Sequence, residues 1–244
     1  DLLVVNPPRD TVVALVRILD GMDDPPPVRV LADAGQLKAA TEGFVMAATV
    51  ADLIENGPLA VRTLETVPQN TLLVSSTSVV ALVDRPGGAA GLTTTDTEFV
   101  ATTNEGFDEQ WDGASPFSVR TPPLSRIRRT LREELGAETA ADVDRAIEAI
   151  ETERAGPVDG IVASLLAAAQ NGALLYDLSA WGEDIGLASK ATFSRTKTRL
   201  EEAGLVDTEK VPIDVGRPRL RLRLPDQLAD VPIDQLVDEA RTRL

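Results

Sequence analysis

WGEDIGLASKATFSRTKTRLEEAGLV, residues 181–206, decides how the last third of the chain folds. Gly186-Leu-Ala188 supplies a turn, with a glycine suited to positive φ. Ser189 is a helix cap, and the helix it opens is predicted to run to about Ala203. Phe193 and Leu200 lie nearly on one line and mark its core side, flanked by Thr196 and Ala203. The opposite side carries Ala191, Ser194, Arg195 and Thr198, with Thr192 and Arg199 beside it and Lys190 at its start. An ordinary surface helix of an acidic chain would carry Glu and Asp there, but none falls between Ser189 and Leu200. Short side chains for close approach, with Arg for a bidentate contact to guanine, are what a helix lying in a DNA major groove requires.

The flanking segments fit that reading. Val158 to Gln170 repeats Val158, Ile161, Val162, Leu165, Leu166 and Ala169 at helical spacing and stops at Asn171-Gly172. A second helix covers about Leu178 to Ile185, with Trp181 and Ile185 inward. Val206 to Leu224 reads as a two-stranded wing turning at Asp214–Pro218. In its second strand Leu220, Leu222 and Leu224 alternate with Arg219, Arg221 and Arg223. With Arg217 at the tip, Arg219, Arg221 and Arg223 form a strip suited to phosphates; the alternative is a charged edge that blocks aggregation. Residues 186–224 hold nine basic against five acidic side chains, so +4 lies there and −19 on the rest of a chain of net charge −15. A local basic footprint on an acidic chain is the electrostatic sign of a nucleic-acid site.

The predicted architecture is an α/β N-terminal domain plus a C-terminal winged helix-turn-helix (α+β), joined by helices. Its segments are a sensing or dimerisation domain (1–118), linker helices (119–156), the winged helix-turn-helix (157–225) and a tail helix (226–244). In the first, helices are expected over Thr11–Leu19, capped by Asn6, over Gln36–Asn56 and over Asp96–Gly113. Strands are expected at Val28–Leu31 and Leu59–Leu64, with Leu72–Val74 and Val79–Val83 forming a hairpin. Gly87-Gly88 reads as a hairpin turn rather than a phosphate cradle. Leu124–Leu135 is a basic helix, and Thr139–Arg154 carries Val143, Ala146, Ile147 and Ile150 at helical spacing. This pair is a connector or the contact of a homodimer, since paired winged helices read two half-sites.

Composition narrows the functions. With no Cys and no His, disulfides, Cys/His zinc sites and imidazole or thiolate catalysis are excluded. No enzyme, cofactor or metal site is expected, although a Mg²⁺-carboxylate site stays open. Pairs such as Asp23-Asp24 and Glu133-Glu134 read as solvated surface. No apolar run approaches a membrane span and no signal segment opens the chain, so a cytoplasmic location is expected. The acidic excess, with only Lys38, Lys190, Lys197 and Lys210 as lysines, fits a halophilic protein; a mildly acidic mesophilic one is the alternative.

The stretch Tyr176 to Arg195, with Glu209 to Arg219, Asn6-Pro7-Pro8 and Ala51-Asp-Leu-Ile54, resembles haloarchaeal winged-helix transcriptional regulators of the TrmB-suppressor (TbsP-like) type. That resemblance implies an archaeal DNA-binding regulator of central carbon or sugar metabolism genes, acting on a double-stranded promoter site. It also leaves room for a small-metabolite effector. Val61-Arg-Thr-Leu64, Pro68-Gln-Asn70, Leu72–Val74, Val79–Leu82 and Phe107–Trp111 resemble the phospholipase-D-like sensor domains of archaeal sugar-responsive regulators. Enzymes of that superfamily use a His nucleophile, so any such domain here is a non-catalytic scaffold. The competing reading is a protein-protein interaction module on a winged-helix fold, which the basic outer face of the third helix disfavours.

Overall fold

The computed structural model describes residues 2–64, 66, 68–85, 88–151, 157–212 and 218–244. The chain forms two compact units: residues 1–42 with 46–119, and residues 43–45 with 120–244.

The first unit runs β1 (Leu2–Val5), α1 (Arg9–Asp20), β2 (Val28–Ala32), α2 (Ala34–Ala40), α3 (Phe44–Asn56), β3 (Leu59–Thr63), β4 (Thr71–Ser75), β5 (Val79–Arg85), β6 (Gly88–Thr94), α4 (Thr97–Gly113) and β7 (Ser115–Pro116). Its seven strands make one sheet in the order β6-β5-β4-β1-β2-β3-β7. β1, β2 and β3 are parallel, and the outer strands are antiparallel. Strand alternation gives each face its own core. Val4, Val28, Val30 and Val61 pack with Val12, Val16, Leu37, Val50 and Leu53 of α1, α2 and α3. Leu3, Val5, Leu31, Val74 and Val79 pack with Val100 of α4, alongside partly buried Phe107 and Trp111. The apolar gap beside Val12, Val16, Leu37 and Phe117 holds about 10 Å³. That is the room of one water, so this gap admits no metabolite.

Several local expectations need correction. Asn6 does not cap α1, whose cap position is Pro8. Asn6 takes φ 49° and ties two loops instead, its Nδ2 donating to the Pro68 carbonyl at 2.6 Å and its carbonyl accepting from the Thr71 hydroxyl at 2.8 Å. The helix expected over Gln36–Asn56 is two helices. Asp33 caps the first by accepting from the N–H groups of Gly35 and Gln36, and Thr41 ends it with its hydroxyl on the Leu37 carbonyl. Strands β1, β6 and β7 were not foreseen. β1 is a short apolar run because both faces of the sheet are covered there, so no alternation marks it. Gly88 opens β6 opposite Arg85 of β5, and Gly87 of the expected Gly87-Gly88 turn lies outside the described residues.

The second unit comprises α5 (Leu124–Leu135), α6 (Ala137–Glu151), α7 (Gly160–Gln170), α8 (Leu175–Asp184), α9 (Lys190–Glu202), the hairpin β8 (Asp207–Val211) and β9 (Arg219–Arg223), and α10 (Ile233–Arg243). α7 is apolar on every side and is buried on every side, from Val162 through Ala169. It packs against α6, α8, α9, α10 and β9, and its alanines allow that close approach. α5 and α6 are therefore not a free connector. Leu124, Ile127 and Leu131 of α5 and Val143, Ala146 and Ile147 of α6 are all buried. α6 packs on α5, α7 and α10, with Ile233, Leu236, Val237 and Ala240 of α10 also buried. Of the stripe expected to join two copies, Val143, Ala146 and Ile147 are consumed inside one, and Ile150 is left half-buried.

Candidate nucleic-acid interface

α7, α8 and α9 followed by β8–β9 form the frame of the site. Just past the end of α8, Gly186 takes φ 79° and lets the chain reverse while the N–H groups of Leu187 and Ala188 return to the Gly182 carbonyl. Ser189 then caps α9, accepting from the Thr192 N–H at 3.2 Å. Phe193 and Leu200 are fully buried and fix the rotation of α9 about its axis. The ring of Phe193 lies against Gly182, where a Cβ would meet its Cε2 at 2.2 Å. Only glycine at 182 lets α9 sit this close to α8.

That rotation leaves Ala191, Ser194, Arg195, Thr198 and Arg199 exposed, as expected, and Thr192 half-buried. Arg195 extends from this face with one Nη donating to the Thr192 hydroxyl at 3.3 Å. The Thr198 hydroxyl donates to the Ser194 carbonyl, and an Nη of Arg199 donates to the Pro157 carbonyl at 3.1 Å. Lys197 belongs to a different group. It is buried, its Nζ bonded to Glu201 at 2.6 Å, while Glu201 also accepts from Thr208 on β8. Its spacing from Phe193 and Leu200 places it on the core line, so one of the nine basic residues counted in the footprint is internal.

The hairpin pairs Asp207 with Arg223, Glu209 with Arg221 and Val211 with Arg219. Leu222 is buried, and its N–H donates to the Ala173 carbonyl, while Leu174 bridges Arg221. The loop before α8 thus adds a third short edge that anchors the hairpin to the helices. The arginine strip is partly engaged within the chain: Arg223 pairs with Glu209 at 2.5 Å and Arg219 with Asp177 at 3.3 Å. Arg217 lies outside the described residues.

Lys190 opens α9 beside Glu183 of α8, 3.2 Å away. Their hydrogen bond holds the Glu183 carboxyl below its usual range and the Lys190 ammonium above its own, so both are charged at neutral pH. Tyr176 was not foreseen as part of the site. Lys190 and Arg219 both stand over its ring, 5.8 and 4.4 Å from the centroid.

Residues 1–122 match the family model described as "Transcriptional regulator TbsP-like, N-terminal", and residues 123–241 that described as "Transcriptional regulator TbsP-like, C-terminal HTH domain". The chain belongs to the TbsP-like transcriptional regulators. No curated protein and no solved structure gives a significant match. In this TbsP-like chain the helix-turn-helix match contains α7, α8, α9 and the hairpin, so the family assignment and the geometry fall on the same residues. The match begins at Pro123, ahead of α5, so α5 and α6 belong to the helix-turn-helix region of the family. Neither family model describes an enzyme. Among the described residues no cluster of three acidic side chains is placed to hold a metal, and no helix is long and apolar enough to cross a membrane.

Proposed function

We propose that this TbsP-like chain regulates transcription by placing α9 in the major groove of a promoter site. Ser194, Arg195 and Thr198 would face the bases, and Arg219, Arg221 and Lys190 the phosphates. The observation that carries this reading is the outer face of α9: small polar residues and arginine, with no carboxylate before Glu201, on a chain of net charge −15. Ser189 and Thr192 serve that face by holding the first turn of the helix. An electrophoretic shift on the DNA upstream of the chain's own gene, against random duplex of equal length, tests the reading. A shift on neither duplex would favour the protein-binding alternative.

A two-fold site calls for two copies. With most of the α6 stripe consumed, we place the contact on the first unit, at the edge strand β6. It reads Gly-Ala-Ala-Gly-Leu-Thr-Thr and carries no charge to blunt the edge, and Leu92 is 69% exposed beside exposed Val83. Antiparallel pairing of β6 with its own copy is two-fold by construction. Light scattering in molar KCl is expected to give a dimer, and Leu92→Asp a monomer; a monomeric wild type would overturn this assignment.

The acidic excess is read as adaptation to salt. Outside residues 186–224 the chain carries −19, which repels itself in dilute buffer. At 1 M salt the screening length falls to about 3 Å, so that repulsion is removed. The thermal midpoint is expected to rise between 0.1 and 2 M KCl, and equal midpoints would contradict the halophilic reading.

A further inference from the structure

We propose that the cleft between α8, the first turn of α9 and β9 seats one sugar-phosphate unit of the DNA backbone, and that Asp177 and Glu183 occupy its cations until the phosphodiester displaces them. The inference rests on the DNA-binding reading above and adds to it a site, a ligand class and a competition.

The cleft measures about 510 Å³ and lies between the two elements offered to DNA. A duplex gripped by both α9 and the hairpin must carry a backbone past it. One part of the lining is cationic and polar: Lys190, Arg219, Ser179 and Ser194. Another is apolar and aromatic, formed by Tyr176 and Pro218 among others. Cations suit the phosphate, while a ring and a proline suit the deoxyribose. Tyr176 is 53% exposed, so its ring is not held there by core packing. It is the surface over which both cations stand.

Each cation is also held by a carboxylate of α8. Lys190 pairs with Glu183 and Arg219 with Asp177, at 3.2 and 3.3 Å, and all four side chains are between 38 and 46% exposed. Exposed pairs of this kind contribute little to stability. Exchanging a carboxylate for a phosphodiester, with release of counterions from the DNA, therefore meets little resistance from the protein. The carboxylates cancel charge that the cleft would otherwise offer to any anion, so they should lower affinity for every duplex alike. Phosphate contacts carry no sequence information.

Fluorescence-anisotropy titrations on the upstream duplex and on random duplex test this with two variants. Tyr176→Ala is expected to weaken both affinities several-fold and to leave their ratio unchanged, since the cleft would contact only the sugar-phosphate backbone. The double variant Asp177→Asn with Glu183→Gln is expected to tighten both several-fold and steepen the salt dependence. It alters only exposed groups, so it remains a readout if Tyr176→Ala misfolds. The proposal is overturned if the double variant, melting as the wild type does, binds DNA no more tightly. It is also overturned if inorganic phosphate raises the melting midpoint through Tyr176 while neither variant alters DNA binding, which would mark a free-anion site. If wild type binds DNA and Arg195→Ala lowers its specificity while these variants are silent, only the cleft assignment falls. If wild type binds no DNA, both readings fall.

Discussion

Trp181→Ala is expected to destabilise the second unit by about 3–5 kcal/mol, the cost of removing a large buried aromatic. Trp181 is fully buried on α8, and its Nε1 donates to the Thr130 hydroxyl of α5 at 2.9 Å. The Thr130 hydroxyl in turn donates to the Arg126 carbonyl, so the indole joins a short chain of bonds and not a lone acceptor. Truncation leaves a cavity and strips the hydroxyl of its donor. Trp181→Phe keeps most of the packing and removes the hydrogen bond, so a smaller loss of about 1 kcal/mol is expected from that bond. Urea titrations followed by circular dichroism compare the three proteins. Equal midpoints for Trp181→Ala and wild type would mean that α5 and α8 do not share one core.

Arg195→Ala is expected to have the largest effect on DNA binding. Its guanidinium stands on the exposed face of α9, with Thr192 as a hydrogen-bond partner and Phe193 buried beneath. A bidentate contact to a base gives about 1–3 kcal/mol of discrimination, so the ratio of specific to non-specific affinity should fall by roughly 5- to 150-fold. Arg219→Ala and Arg221→Ala should behave differently. Phosphate contacts act through counterion release, so each variant should weaken both duplexes together and flatten the salt slope by about one unit. In molar salt that electrostatic contribution is small, which leaves Arg195 a larger share of the binding.

Much of this was readable from residue patterns. The cap at Ser189, the turn at Gly186 and the buried pair Phe193 and Leu200 are local signals with one structural solution each, whereas of the alternating leucines of β9 only Leu222 is buried, and Leu220 and Leu224 are half-buried like Arg219 and Arg221. What escaped was set by tertiary neighbours. Lys197 looks like a surface cation until Glu201, itself held by Thr208, is seen to satisfy it, although its position one turn from both Phe193 and Leu200 already put it on the core line. Tyr176 carries no pattern of its own, because Lys190 and Arg219 reach it from 14 and 43 residues away along the chain. Gly182 reads as an ordinary helical residue, and only the ring of Phe193 against it shows why no side chain fits. The apolar stripe of α6 was correctly seen, but periodicity cannot say whether its partner is another helix of the same chain or a second copy. β6, with two glycines and two alanines among its seven residues, has little strand propensity and is held by pairing with β5.

Base reading by α9 is put to the test by titrating wild type and Arg195→Ala, matched for melting midpoint, against the upstream duplex and a random duplex at several KCl concentrations. Wild type is expected to prefer the upstream duplex and to keep that preference as salt rises, and Arg195→Ala is expected to lose most of it while its salt slope on random duplex stays the same. If Arg195→Ala kept both affinities of the wild type, α9 would not be the reading helix and the proposed interface would be wrong.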